Sequence, residues 1–186
     1  VGDFMKKLLL PLILFSSVSY GADCSKHPIL CQIVKHKPSV KKKFAMRLSN
    51  VIYKAAKKHK IPARIYTAIL RQESNYTLAA KGCHKGLMEV KNPELQGVAF
   101  VEVKICNDFG MSQVNYRTAK RFGFDTLKLV TDLEYSVMAG AKVLAGFRKR
   151  YSKKDKYWWL RYNCGTRSTT KRDTCQIYKN LVERYL

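Results

Sequence analysis

Apolar residues recur at helical spacing through most of the chain. The first run follows Ser39, a predicted N-cap, and its apolar positions are Phe44, Leu48, Val51, Ile52, Ala55 and Ala56. A second helix is predicted over residues 61–74, with Pro62 in its first turn, where a missing N–H costs nothing. The two runs predict consecutive core helices.

One acidic residue interrupts the apolar stripe of the second helix. Ile65, Ile69 and Glu73 follow each other at i, i+4 and i+8, and Tyr66 and Leu70 border the same stripe. Because burial disfavours a charged carboxylate, we predict a raised pKa for Glu73 and proton donation near neutral pH. The alternative is a glutamate at the frayed helix end that turns back to solvent.

The period changes between Gly82 and Asp108. Glycines and an Asn-Pro pair break this segment, and residues 98–105 alternate and are rich in β-branched side chains. We predict a small hairpin, closed at its base by a disulfide between Cys83 and Cys106.

Helical spacing returns near Asn115 and predicts a helix that ends at Gly123. Asp132 is predicted to cap a longer helix, whose apolar positions are Leu133, Val137, Ala141 and Leu144. Small residues at 139–141 and 145–146 would weaken an isolated helix, so they predict that another backbone packs closely there.

Two further short helices are predicted. The aromatic stretch 157–162 forms the first, and the last has Ile177, Leu181, Val182 and Tyr185 on one side. Of Trp158 and Trp159 we expect one core anchor and one partly exposed neighbour, with stacking on sugars as the alternative. The patterns together predict a compact, mainly α (α+β) domain with one small β wing.

The beginning of the chain has the features of a secretory signal peptide. Two lysines at 6–7 precede an apolar run at 8–18 and a small-residue exit, which predicts a signal peptide over residues 1–21. The run is too short for a permanent membrane anchor. We expect a soluble exported protein, periplasmic or secreted, with a polar leader at 22–38 and one domain at 39–186.

Six cysteines fit an oxidising compartment. Of the 15 possible pairings, their distribution suggests three local loops, Cys24–Cys31, Cys83–Cys106 and Cys164–Cys175. Nearby histidines raise the alternative of zinc, but no two cysteines have the two-residue separation of a zinc knuckle. We therefore predict disulfides and no metal.

Lysine and arginine number 36 against 13 acidic residues, which gives a net charge of +23. Such a surface favours polyanions, among them cell-wall polymers, anionic lipid headgroups and nucleic acid. The basic residues are scattered, so we interpret the charge as a targeting aid. A non-enzymatic cationic binding module is an alternative, but no interleaved basic and aromatic motif indicates a specific nucleic-acid partner.

Four motifs in order resemble the lytic transglycosylase domain. They are Glu73-Ser74-Asn75-Tyr76, Gly110-Met111-Ser112-Gln113-Val114, residues 132–144 and Tyr162-Asn163-Cys164-Gly165. The likeness runs from about residue 39 to the C-terminus and implies the lysozyme-like fold shared with goose-type lysozymes. The small size and the cysteines look most like the specialised exported enzymes that accompany secretion or conjugation systems, pili and phage particles.

The resemblance also implies roles for single residues. Glu73 matches the family's catalytic glutamate and Ser74 the serine that follows it. Tyr162 and Asn163 match a pair whose tyrosine orients the glutamate, and Cys164 replaces the alanine that follows this pair.

A glycine-containing turn is implied to line the sugar groove. Gly110, Met111 and Gln113 match this turn, while Ser112 replaces a methionine or phenylalanine often found there. The insert at 82–108 is longer than the usual connection, and it could widen the groove wall or recognise a partner.

The supply of carboxylates indicates the mechanism. An ordinary glycosidase uses two acidic side chains, but outside the insert and the helix caps only Glu73 is well placed. A lone glutamate suffices if the muramyl 6-hydroxyl attacks, which yields a 1,6-anhydro end, as the resemblance implies. We therefore predict a cofactor-free lyase that cleaves MurNAc–GlcNAc β-1,4 bonds in peptidoglycan glycan strands. Asp108 leaves a hydrolytic lysozyme as the alternative, if it faces Glu73 across room for a water, although a turn cap is its simpler role.

Overall fold

A computed structural model describes residues 24–92, 97–165 and 173–186, so the predicted signal peptide lies outside the described residues. The helices are α1 (Pro28–His36), α2 (Lys42–His59), α3 (Ala63–Ser74), α4 (Tyr116–Phe122), α5 (Thr126–Thr131), α6 (Leu133–Tyr151), α7 (Arg161–Cys164) and α8 (Asp173–Glu183). A 3₁₀ turn at Trp158–Leu160 precedes α7. Strands β1 (Lys81–Asn92), β2 (Gly97–Phe109) and β3 (Val114–Asn115) form one antiparallel sheet in that order. The mainly α fold with a small β wing is confirmed.

Helix α1 corrects the prediction of a polar leader. Its residues Ile29, Leu30 and Ile33 are buried in the same core as α2 and α3. The disulfide Cys24–Cys31 attaches the preceding segment to this helix. The packed domain therefore includes residues that the sequence assigned to a leader, because three apolar side chains at helical spacing were overlooked among polar ones.

Helix α2 has the predicted apolar face but not the predicted start. The helix begins at Lys42, and its N-cap position is Lys41, not Ser39. Ser39 lies in a turn that the hydrogen bond from Val40 N to Lys37 O closes. The buried face of α2 packs mainly against α6, which forms the centre of the domain.

The two groups of small residues in α6 differ in how closely other parts of the chain approach them. A Cβ added at Gly140 would meet Ser112 Oγ at 2.3 Å and Tyr66 Oη at 2.6 Å, so the close approach is real, although side chains make it. At Gly146 nothing among the described residues lies within 4 Å of an added Cβ, so that half of the prediction is wrong. Asp132 caps α6 as predicted, accepting a hydrogen bond from Tyr135 N.

Two predictions for the C-terminal helices are wrong. Trp158 and Trp159 are both buried, 7% and 4% exposed, so neither is the expected exposed neighbour or a sugar-stacking ring. Ile177 is 59% exposed, so it does not face the core. The stripe of α8 that faces the core consists of three buried residues, Cys175, Tyr178 and Val182, and the partly buried Leu181. Leu181 and Val182 are on this stripe as predicted, while Cys175, bonded to Cys164, and Tyr178 take the place of Ile177.

The region between the motifs contains one expected and one unexpected helix. Asn115 caps α4 by accepting from Arg117 N, and Gly123 ends this helix with φ of 68°. Helix α5 was not predicted; Asp125 caps it, and Leu129 is its buried residue.

The long hairpin of β1 and β2 is the β wing. Its strands pair from Lys81 opposite Phe109 to Asn92 opposite Gly97, and the disulfide Cys83–Cys106 lies near its base. The main contacts of the hairpin with the rest of the domain come from β2, with β3, α4 and α5. The hairpin therefore joins the helical domain at its base, where β2 ends.

Within the described ranges, every helix is too short or too polar to cross a membrane.

Candidate active site

Glu73 opens into a cleft of about 350 Å³ between the helical core and the base of the hairpin. The cleft is lined by Glu73, Asp108, Gln113, Val114, Asn115, Thr118, Val143, Phe147, Tyr162 and Asn163. Glu73 is the penultimate residue of α3, and Asn75 ends this helix in the left-handed conformation. The side chain is half-buried and faces the cleft, so it does not turn out to bulk solvent as the alternative interpretation required.

The carboxyl of Glu73 has a strongly raised pKa. Burial is the largest cause, and together with the nearby charge of Asp108 it raises the pKa to about 7, against an opposing hydrogen bond from Tyr178. Desolvation penalises the carboxylate more than the neutral acid. At neutral pH the group therefore exists in both forms, which suits a residue that must give up a proton and then regain one.

Tyr178 is the residue that holds the carboxyl. Its hydroxyl donates a hydrogen bond to Glu73 Oε1 at 2.5 Å. The phenol is buried, and burial together with the charge of Glu73 raises its pKa well above the ordinary value, so it stays a neutral donor. The sequence analysis missed Tyr178; the spacing of Cys175, Tyr178 and Val182 on the apolar stripe of α8 was the available signal.

Tyr162 lines the cleft but has a different hydrogen-bond partner from the one the resemblance implied. Its hydroxyl donates to the carbonyl oxygen of Ser112 at 2.7 Å. Burial, followed by the charges of Tyr66 and Glu73, raises its pKa well above the ordinary value. Tyr162 thus joins α7 to the Gly110 turn, and Asn163 beside it also reaches the cleft.

The Gly110 turn is sterically determined. Gly110 has φ of 75°, and a Cβ there would meet Leu129 O at 2.0 Å and Ser136 Oγ at 2.5 Å. Gln113 lines the cleft from a left-handed conformation with φ of 45°, and its side-chain amide donates to Gly110 O at 2.8 Å. Only glycine fits the first position without strain.

Three residues implied for substrate binding do not line the cleft. Met111 is fully buried in the core, so it fills space beneath the cleft. Ser74 directs its hydroxyl to Leu70 O within α3, at 3.2 Å. Gly110 supports the turn without a side chain. Their part in the site is therefore indirect.

A buried hydroxyl network lies under the turn. Ser112 is fully buried and donates to Ser136 O at 2.9 Å, while its hydroxyl also lies 3.0 Å from that of Tyr66. Tyr66 donates to Val137 O at 2.5 Å, and Ser136 accepts from Met111 N at 3.0 Å. Ser112 is thus the partner that satisfies two tyrosines and α6, which explains a small polar residue at this position.

The hairpin base supplies the opposite wall. Asp108 and Asn115 are opposite each other where β2 pairs with β3, and Asn115 Nδ2 donates to Asp108 Oδ1 at 3.0 Å. Val143 and Phe147, one turn apart on α6, complete the apolar part of the lining. Asn115, Val143 and Phe147 were not predicted to line the site, because strand pairing and helix packing bring them to the cleft from separate segments.

The arrangement offers one carboxyl with a tuned pKa, a fixed neutral donor and a second acidic side chain in one cleft. All six cysteines form the three disulfides, and in the described part of the chain no three His, Cys, Asp or Glu side chains cluster as metal ligands. This geometry fits acid–base chemistry on a polar, extended substrate.

Comparison with known proteins supports the same conclusion. The profile of the transglycosylase SLT domain matches residues 50–179, which is well over half of the chain. Searches of curated proteins and of solved structures found no significant match. The match includes Glu73, the Gly110 turn, Tyr162 and Tyr178. The chain belongs to the transglycosylase SLT domain family.

Proposed function

We propose that the protein is a lytic transglycosylase that cleaves the MurNAc–GlcNAc β-1,4 bond of peptidoglycan and leaves 1,6-anhydro-muramyl ends. The family supports peptidoglycan as the substrate. The observation that carries the proposal is the Glu73 carboxyl, which faces a cleft with a pKa raised to about 7.

The chemistry requires Glu73 twice. As an acid it protonates the bridging oxygen, so the bond between this oxygen and the muramyl C1 breaks and an oxocarbenium-like state forms. As a base it takes the proton of the muramyl 6-hydroxyl while that oxygen bonds to C1. Glu73 is again protonated, and no water enters the balance.

Two neighbours support these steps. Tyr178 donates to Oε1 and stabilises the carboxylate formed in the first step. Tyr162 and Gln113 form fixed polar walls for the sugars, and the hydroxyl of Tyr162 is hydrogen-bonded to Ser112 O. The partly buried site preserves a pKa near neutrality, which favours both proton transfers.

Digestion of purified peptidoglycan with the wild type and Glu73→Gln tests the proposal. We expect anhydro-muropeptides from the wild type and a loss of about 10²–10⁴-fold or more in Glu73→Gln, the range of general acid–base catalysis. Mass spectrometry separates anhydro ends from reducing ends, because they differ by one water. Full activity of a folded Glu73→Gln would refute the proposal.

A hydrolytic lysozyme is the second candidate, because Asp108 lines the same cleft and its charge acts on Glu73. In that mechanism Asp108 would activate a water on the opposite face of the sugar. Reducing ends in the digest, and their loss in Asp108→Asn, would favour hydrolysis. Against this role, the carboxylate already accepts a hydrogen bond from Asn115.

We also propose that the protein acts after export, at the cell wall. The three disulfides fit an oxidising compartment, and the charge of +23 fits anionic wall polymers. A secretion, conjugation, pilus or phage assembly is the proposed partner context. Fractionation of cells that express the intact gene tests the location.

A further inference from the structure

We propose that a second cavity, next to the Glu73 cleft, binds a carboxylate of the peptidoglycan strand through Arg117. The inference rests on the proposed function, since it assigns a part of the same substrate. It adds an acidic-group subsite to a cleft whose other lining residues are neutral or acidic.

The second cavity shares a lining residue with the first. It has a volume of about 270 Å³ and is lined by Asn107, Asn115, Tyr116 and Arg117, and Asn115 lines both cavities. Asn115 is held at both side-chain atoms, because its Nδ2 donates to Asp108 and its Oδ1 accepts from Arg117 N. In the proposed subsite, a glycan strand bound at Glu73 extends past Asn115 to the second cavity.

The charges along this path change sign. Glu73 and Asp108 line the catalytic cleft, and Arg117 lines the second cavity. Within the residues that the structure describes, the Arg117 side chain has no hydrogen-bond or ion-pair partner, so its charge is available to a ligand. Guanidinium binds carboxylates with two parallel hydrogen bonds, and a carboxylate is disfavoured at the acidic end. The strand would thus be held in one register.

The other lining residues suit a sugar that carries an acidic group. Tyr116 is 52% exposed, so its ring is open to the apolar face of a pyranose. Asn107, from the end of the hairpin, adds an amide to the opposite side. In peptidoglycan the carboxylate has two possible sources, the lactyl ether of muramic acid and the stem peptide.

Three substrates distinguish these sources. The first is intact peptidoglycan, in which stem peptides carry the carboxylates; the second is glycan stripped of peptides by an amidase, which leaves lactyl carboxylates. The third is the stripped glycan after conversion of its carboxylates to methylamides. Initial rates of bond cleavage give KM and kcat for the wild type, for Arg117→Ala and for Arg121→Ala. Arg121 is an exposed arginine one turn further along α4 that lines neither cavity, so it is the matched control.

We expect Arg117→Ala to raise KM about tenfold on a carboxylate-bearing substrate and to leave kcat unchanged. On the methylamide substrate, we expect the same KM and kcat as for the wild type. An effect on intact peptidoglycan assigns the stem peptide, and an effect on stripped glycan assigns the lactyl group. Equal effects on all three substrates, no effect on any, or the same loss in Arg121→Ala would overturn the subsite. A wild type that cleaves none of them would instead refute the proposed function.

Discussion

The two walls of the cleft are built in different ways. On the helical side, Glu73 is held by Tyr178, and the turn beneath it rests on the buried hydroxyls of Ser112 and Ser136. On the hairpin side, Asp108 accepts a hydrogen bond from the side-chain amide of Asn115, and the strands behind it pair mostly with each other. One wall belongs to the core and the other is the base of an appended ribbon.

This difference separates two tasks. A general acid needs a fixed position and a controlled pKa, and both require close packing and satisfied hydrogen bonds. Recognition of further sugars needs a wall whose side chains are accessible; residues 116–117 are exposed and residues 107–108 are partly exposed. The following predictions test whether the two walls are as independent as their packing indicates.

The largest expected effect comes from a methyl group added at Gly140. Ser112 and Tyr66 leave no room for it, so Gly140→Ala should destabilise the protein by more than about 3 kcal/mol. The matched control is Gly146→Ala in the same helix, where an added Cβ meets nothing and should stabilise by about 0.5–1 kcal/mol. Urea unfolding of both variants measures these values. Similar effects for the two would show that the core wall is not tightly packed.

The raised pKa of Glu73 predicts a pH-dependent stability. The pKa is about 7 in the folded chain and near 4.5 when unfolded, so the folded chain binds more protons between these values. The free energy of unfolding should therefore fall as pH rises through this window. At pH 8 Glu73→Gln should be more stable than the wild type by up to about 3 kcal/mol, and at pH 4 the two should be equal.

The control for this measurement is Glu134→Gln. Glu134 is exposed and paired with Lys54, so its change should alter stability by less than about 1 kcal/mol at either pH. If Glu73→Gln gave no gain at pH 8, the carboxyl would be hydrated and not buried.

Removal of single disulfides compares the walls directly. The pair Cys164→Ala/Cys175→Ala should lower stability by about 2–3 kcal/mol and reduce activity, because this bond ties Asn163 to the helix that carries Tyr178. The pair Cys83→Ala/Cys106→Ala should leave core unfolding nearly unchanged, since strand pairing stays within the hairpin.

Tryptophan fluorescence during thermal unfolding is a suitable measurement. Both tryptophans of the chain are buried in the core, so the signal reports the helical wall alone. An equal loss of core stability in the two double variants would contradict the independence of the hairpin.

The smallest effects come from the two neighbours of Glu73, and they have opposite signs. Tyr178→Phe removes a hydrogen bond to the carboxylate, so the pKa of Glu73 rises and the alkaline limb of kcat/KM moves to higher pH. We expect kcat to fall about tenfold as well, because the carboxyl loses its fixed orientation.

Asp108→Asn should move the same limb to lower pH. The charge of Asp108 raises the pKa of Glu73, so its removal lowers that pKa and costs only a few-fold in kcat for a transglycosylase. pH–rate profiles of both variants measure the two shifts. Displacement of both limbs in one direction would show that the assigned causes of the pKa are wrong.

The features that were predicted correctly depend on interactions between residues close in sequence. Glu73 was identified from i, i+4 spacing and a family motif, both of which are local. Tyr178 was missed although its hydroxyl donates a hydrogen bond to Glu73, because 105 residues separate them and Ile177, not Tyr178, was placed on the buried face of the last helix. Residues 28–36 were assigned to a leader because α1 is short and its apolar positions, Ile29, Leu30 and Ile33, stand among polar ones, although all three are buried in the core.

By itself, the sequence determined the mainly helical class, the hairpin, the family motifs and the acidic residue on an apolar stripe, because periodicity and short-range motifs encode them. Tertiary structure decided which tyrosine meets that acid, that Met111 lies under the cleft and that the hairpin base supplies Asp108. Those are contacts between distant segments, and their geometry depends on how helices and strands pack, which spacing along one segment does not specify.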